Sequence, residues 1–343
     1  MCNLKIGCIS DLHFKLYRGN NNFVPFIVKA VDHFIELCKE REVDVVVLGG
    51  DIFHAKSYVQ TFALDKALIS IRKLTEQFEC FFVVGNHDMY SNQENEKINL
   101  LKVFESDGHV ANDYEFYDRN GVRLHFLPYQ TDDNARAKIA SASLLKNGKN
   151  LLFTHLGLRG FSLNDYHEDV YSELTENDIC KENFDLIVSG HYHHFQQKGN
   201  IVYISSPIES HFGDEGKHGF VFIDTEKLLD VEYIENEYTP KFKTYELNKT
   251  NFPEIITTKD CFLRVKINKQ IDYNILTKLK KKLESQNYFV IFDYNITGNI
   301  QKISVVDGWD SYIYEDTDKI IQNYIDALET DFDKKELREF IFN

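Results

Sequence analysis

Apolar positions along this chain switch between two periods. A short strand is predicted at Lys5 to Ile9, and helical spacing of apolar residues follows from Phe23 to Glu40. Val43 to Leu48 is a nearly unbroken β-branched run, the pattern of a strand buried on both faces. A second helical stretch, Val59 to Gln77, leads into another buried strand at Cys80 to Val84. Strand, helix, strand, helix, strand implies parallel strands covered by helices, an α/β arrangement whose chemistry gathers in the loops at the carboxyl ends of the strands. Further strands are predicted at Leu124 to Tyr129, Asn150 to Thr154, Phe184 to Ser189, Ile201 to Ser205, Gly219 to Asp224 and Val231 to Glu235. Their tighter spacing suggests antiparallel pairs. So many strands exceed one modest sheet, and the expected architecture is a two-sheet sandwich flanked by helices.

Near Pro240 the pattern changes. Phe242 to Leu247, Phe262 to Asn268 and Tyr288 to Ile296 read as strands, with a helix at Tyr273 to Ser285, which together predict a small α/β capping domain. Amphipathic helical patterns follow at Asp318 to Leu328 and Asp333 to Phe342, a C-terminal helical tail. The expected boundaries are 1–240, 241–305 and 306–343.

Charge sharpens this division. The 343 residues carry 39 basic and 54 acidic side chains, a net −15, which by itself argues against a nucleic-acid binder. The average conceals a gradient, because residues 241–305 hold 12 basic against 6 acidic side chains, a local +6. Apolar and aromatic content suffices for a packed core. Apolar runs too short to span a bilayer, and an N-terminal stretch unlike a signal peptide, predict a cytoplasmic chain without a membrane segment. The six cysteines are scattered, as expected of reduced thiols and not of a disulfide framework or zinc cluster.

The chemistry is concentrated at strand ends. SDLH supplies Asp11 and His13, GGDIFH supplies Asp51 and His54, and GNHD supplies Asn86, His87 and Asp88. Later strands end in Thr154-His155 and in SGHYHH, with His191, His193 and His194, so seven of the 13 histidines stand at such positions. Carboxylate oxygen, imidazole nitrogen and amide carbonyl suit divalent manganese, iron or zinc. One aspartate can bridge two such ions about 3.5–4 Å apart, the geometry that clamps a phosphoryl group. The remaining histidines (His33, His109, His125, His167, His211 and His218) read as surface or core residues, His194 as a polar neighbour of the ligands, and Asp132, Asp133 and Glu168 to Asp178 as solvated loops.

In this order, SDLH, GDIFH, GNHD, THLG and GHYHH resemble the motifs of the calcineurin-like metallophosphoesterases. The resemblance implies two divalent metal ions, manganese above all: one on Asp11, His13, Asp51 and His193, the other on Asp51, Asn86, His155 and His191. It further implies that His87 protonates or stabilises the leaving oxygen and that Asp88 orients the His87 imidazole. GDIFHAKS, and YISSPIESHFGDEGKHGFVFID at residues 203–224, look like the SbcD family of double-strand-break repair nucleases, although the proline common after that family's GD-F-H is absent from Ala55-Lys56-Ser57-Tyr58.

Membership of that family would imply a manganese-dependent nuclease acting exonucleolytically on duplex ends and endonucleolytically on single strands. Its expected partners are DNA and an SbcC-like SMC/ABC-type ATPase gripped by the C-terminal helices, where Ile320, Ile321, Tyr324, Ile325 and Leu328 form an apolar stripe. His54 would hold the DNA end or scissile phosphate, and Lys278, Lys280, Lys281 and Lys282 would face DNA. A homodimer through the helices near Val59 to Gln77 and Asn95 to Phe104 is also implied. The competing expectations are a phosphatase or cyclic-nucleotide phosphodiesterase of the same superfamily, and a non-catalytic scaffold.

Overall fold

The computed structural model describes residues 3–91, 98–164, 167–168, 172–214, 216–248, 250–268 and 273–294. The apolar stripe from Ile320 to Leu328 lies outside these residues, as does the pattern at 333–342.

Three parallel strands open the first sheet: β1 (Lys5–Ile9), β2 (Val45–Leu48) and β3 (Glu79–Val83). Helices α1 (Val24–Glu40) and α2 (Thr61–Thr75) make the crossovers between them. The short strand β4 (His109–Ala111) adds to β3 in parallel. A second sheet is built on β5 (Glu115–Arg119), β6 (Val122–Leu127) and β7 (Lys149–Thr154), with α3 (Asp132–Ala142) between the last two. The hairpin of β8 (Ser162–Asn164) and β9 (His167–Glu168) follows, and then β10 (Leu186–Ser189), β11 (Gln196–Lys198) and β12 (Ile201–Tyr203). Strands β13 (Gly219–Asp224) and β14 (Glu232–Glu235) return to the first sheet. The sheet orders are β14-β13-β1-β2-β3-β4 and β11-β12-β10-β7-β6-β5.

The protein is therefore a mixed α/β sandwich of two sheets with flanking helices. Its pairing differs from the antiparallel expectation: β6, β7, β10 and β12 pair in parallel, and within the two large sheets, among the described residues, antiparallel neighbours lie toward the edges at β5/β6, β11/β12, β1/β13 and β13/β14. The reason is local. Asp132 and Asp133, expected in a solvated loop, instead begin α3, where acidic side chains suit the positive end of a helix. That helix is long enough to carry the chain back over the sheet and start β7 in the same direction as β6. Leu174 and Ile179, in and just beyond the acidic stretch, are buried under the same layer.

Period-2 side chains from both sheets meet between them, with Ile6, Cys8, Val45, Val47, Phe81 and Val83 facing Leu124, Phe126, Leu151, Phe153, Leu186 and Val188. The outer faces are covered by α1 and α2 on one side and by α3 on the other. The five described cysteines are free thiols. Among the described residues no helix is long and apolar enough to cross a membrane.

After β14 the chain forms a separate three-stranded parallel sheet from β15 (Phe242–Glu246), β16 (Phe262–Ile267) and β17 (Phe289–Tyr294), with α4 (Phe252–Thr257) and α5 (Tyr273–Glu284) in its crossovers. This small unit has its own core around Ile255, Leu263, Val265 and Leu283. It rests on the segment that follows β1. There the buried Tyr17 ring lies 5.0–6.4 Å, centroid to centroid, from Phe23, Phe212, Phe242, Phe262 and Phe289. Asn20 and Asn22 both donate side-chain amides to the Tyr288 carbonyl at 3.0 Å. Removing one buried aromatic of this kind costs about 3–5 kcal/mol. Tyr17→Ala should accordingly lower the unfolding free energy from urea titration by that amount; a change below about 1 kcal/mol would show that the rings merely lie near one another.

Candidate active site

Five parallel strands end at the same edge of the sandwich, and each delivers its polar residues there. Asp11 and His13 follow β1, Asp51 follows β2, Asn86 to Asp88 follow β3, His155 follows β7, and His191 and His193 follow β10. The first two loops are tied together along their backbones, with Asp11 N donating to Gly50 O at 3.0 Å, His13 N to Asp51 O at 2.9 Å and Phe14 N to Ile52 O at 2.8 Å. This tight course forces unusual conformations: φ is +54° at Asp11, +46° at His13, +53° at Asp51 and +90° at His191. Each such non-glycine residue costs about 1–3 kcal/mol and persists only where its surroundings over-determine it. At Gly50, φ is +104° and an added Cβ would collide with the His155 ring, so only glycine fits.

The seven residues expected as metal ligands converge. Asp11, Asp51 and His155 present ligand atoms within 4.8 Å of one another, as do Asp11, His13 and His193. Asp51 Oδ2 lies 3.8 Å from His13 Nε2 and 3.3 Å from His155 Nε2, so one oxygen faces both groups. His13 Nε2 and His193 Nε2 approach to 3.2 Å, and His191 Nδ1 approaches Asn86 Oδ1 at the same distance. The floor of Asp11, His13, Asp51 and His155 is buried, whereas Asn86, His191 and His193 are half-exposed at the mouth.

The electrostatics describe a pocket that demands positive charge. Burial holds the Asp11 carboxyl above its ordinary range. Burial also opposes charge on Asp51, but His155 and then His13 hold that carboxyl well below the usual value. For His155, burial disfavours protonation, yet Asp51 and Asp11 together push its pKa up to about 10. Its Nδ1 is directed at Gly49 O at 2.7 Å, while among the described residues the buried Nε2 makes no hydrogen bond and points at the carboxylates. A divalent cation would meet that demand, and the mixed oxygen and imidazole donors suit one. Asp11, His13, Asp51, Asn86, His155, His191 and His193 thus fit a dimetal centre.

His54 and His87 stand above this floor. Their rings stack at 5.3 Å with 10° between planes, and both meet His13 edge-on. Burial, reinforced by the nearby Lys15 charge, pushes His54 down to about 2, so it is neutral near pH 7. Asp88 does not orient the His87 ring, contrary to the role expected for it. Its fully buried carboxylate accepts the backbone amides of Phe53 at 3.0 Å and Gly85 at 3.1 Å, bracing the second loop against the third. The His87 ring is held by the His54 carbonyl, 2.5 Å from its Nδ1. Burial, and next the Asp51 charge, push the Asp88 carboxyl up to about 8.

Lys278, Lys280, Lys281 and Lys282 are exposed on α5, where Lys280 lies 3.8 Å from Glu284. They belong to the small unit and are not part of this cluster. Sequence reasoning missed Asp214, a buried carboxylate beside His193 and His194. It also missed Tyr129, whose ring lies 6.5 Å from that of His191. Tyr129 closes a predicted strand but carries no ligand motif, and Asp214 lies in a loop marked only by the SHFGDEGKH run, dense in polar residues beside a buried strand.

Comparison with known proteins places the chain in a family. The family model described as Calcineurin-like phosphoesterase matches residues 4–195. The chain is 27% identical over 291 residues to Putative phosphoesterase 244L of Invertebrate iridescent virus 6, covering 78% of this chain and 94% of that protein. It is 23% identical over 357 residues to Exonuclease subunit 1 of Enterobacteria phage T4, covering 98% of this chain and 97% of that protein. Among solved structures, a dimetal phosphatase from Danio rerio aligns with a TM-score of 0.42 and 13% identity, over 64% of this chain and 91% of its own.

Proposed function

Because the chain belongs to the calcineurin-like phosphoesterase family, a family of dimetal hydrolases, we propose that it is a manganese-dependent DNA nuclease acting on duplex ends and single strands. The observation that carries this reading is the similarity to the phage T4 Exonuclease subunit 1 along nearly the whole of both chains, which takes in the small basic unit as well as the metal site. A cytoplasmic nuclease subunit of SbcD type working with an SbcC-like ATPase follows from the same reading.

Asp11, His13, Asp51 and His193 would hold one ion and Asp51, Asn86, His155 and His191 the other. When bound, the pair supplies Lewis acidity toward a phosphoryl oxygen. The rest of the work belongs to side chains of this chain. The His87 imidazole, steered through Nδ1 by the His54 carbonyl, directs its opposite edge away from that carbonyl and gives a proton to the departing oxygen. His54, neutral and stacked on it, fixes the ring plane and lines the path of the substrate phosphate. The exposed lysines of α5 give the small unit a basic face suited to phosphate backbone contacts, which position a duplex without reading its sequence.

A homodimer is supported by apolar side chains left exposed on α2 and the neighbouring turn. Phe62, Ile69, Ile98 and Val103 are 38–56% exposed, and Arg72 reaches Asp107 at 3.3 Å to hold the two segments side by side. The purified chain with manganese should shorten linear duplex DNA, at a rate that falls steeply between low and moderate salt because phosphate contacts release counterions. Hydrolysis of a small model phosphodiester with no action on DNA of any form would favour the phosphatase or cyclic-nucleotide phosphodiesterase reading. A chain that takes up no metal would favour the scaffold.

A further inference from the structure

His193 and His13 aim their Nε2 atoms at a common point, 3.2 Å apart. An imidazole that offers Nε2 to an ion must carry its proton on Nδ1, and a carboxylate facing Nδ1 favours that tautomer. Facing that nitrogen, beyond hydrogen-bond length, stands the Asp214 carboxylate, whose charge favours a proton on Nδ1. Its Oδ2 lies 3.7 Å from His193 Nδ1, and its Oδ1 lies 3.4 Å from Nε2 of the adjacent His194. Asp214 is itself 4% exposed and held in place, since Oδ2 accepts both the backbone N–H and the hydroxyl of Ser210 at 2.9 Å. His218 packs edge-on against His194, their ring centroids 5.6 Å apart.

A third ion cage at His194, Asp214 and His218 is the alternative reading of this group. The hydrogen bonds speak against it. One nitrogen of His218 meets Ser206 Oγ at 2.9 Å and the other meets the Asp214 backbone carbonyl at 3.0 Å, which leaves that ring no lone pair for an ion. The cluster is a brace.

We infer that Asp214 is a positioning residue for the metal centre: a buried carboxylate that fixes the Nδ1–H tautomer and ring direction of His193, so that Nε2 faces the ion shared with Asp11, His13 and Asp51. The inference deepens the dimetal reading and rests on it. Carboxylates in this relation to a ligating histidine typically contribute roughly 10–100-fold in metal affinity.

The test is calorimetric titration of manganese into the metal-free full chain, for wild type, Asp214→Asn, Asp214→Glu and Ser210→Ala. Asp214→Asn keeps the shape and an acceptor for Ser210 while removing the charge. It should weaken one of the two ions by about 10–100-fold and leave the other near its wild-type affinity. Asp214→Glu should recover part of the loss. Ser210→Ala, which loosens the loop but keeps the carboxylate, should bind both ions within a few-fold of wild type. Nitrogen-15 shifts of the His193 ring should report Nδ1–H in the wild type and a mixture of tautomers in Asp214→Asn. Two ions bound with unchanged affinity in Asp214→Asn, or equal weakening of both, would overturn the assignment of Asp214. A wild-type chain that binds no ion would overturn the dimetal reading and this inference with it.

Discussion

Replacing His87 with alanine is expected to slow phosphodiester cleavage by about 10²–10⁴-fold while both ions stay bound. The expectation follows from how the residue is attached. Its backbone N–H donates to Asp51 Oδ1 at 2.8 Å, and any amino acid but proline keeps that bond. Its ring lies against His54 and is held through Nδ1 by a backbone carbonyl, so the side chain can be cut away without unseating a carboxylate. What disappears is a proton donor at the mouth of the pocket. His87 does stand with His13 and His54 in a three-histidine group. Elemental analysis of the purified variant therefore decides the matter: loss of an ion together with activity would make His87 a ligand and would remove it from leaving-group chemistry.

Asp51→Asn should be more damaging. One Asp51 oxygen faces both His13 and His155, and the other fixes the third loop through the His87 amide. Asparagine retains the size and one acceptor but not the charge that favours two cations at this spot, and its amide would turn donors toward them. Ion content should fall from two per chain to one or none. Bound ions contribute several kcal/mol of transition-state stabilisation, so cleavage should fall by at least about 10³-fold. Two retained ions and substantial activity would show that the bridging role has been given to the wrong carboxylate.

The metal cluster was legible in the sequence because its residues obey a simple geometric rule. Each stands one to four positions beyond the end of a strand, and parallel strands of one sandwich end at one edge. Asp214, which escaped, and Asp88, which was given the wrong contact, follow no such rule. Asp214 lies in a loop between β12 and β13, and only the folded chain brings it beside His193. Asp88 sits next to His87 in sequence, but adjacent side chains diverge, and its carboxylate turns inward to the amides of Phe53 and Gly85. Strand direction was misread for a different reason. Spacing gives the length of a connection, whereas direction depends on whether that connection is a crossover. Helix α3 buries only Ala135, Ile139 and Ala142, too thin an apolar face to announce a helix.

Tyr17 stands four residues beyond His13, and the segment between them starts from Phe14, which is buried and hydrogen-bonded to Ile52. The loop that supplies Asp11 and His13 and the aromatic seat of the small unit are therefore two ends of one short lever. Anything that steadies the lever at one end lowers the entropy left to lose at the other. Should ion occupancy bias the seating of the basic unit through this segment, linkage requires the reverse to hold as well. By whatever factor a load on the small unit changes affinity for the ion at His13, that ion changes affinity for the load.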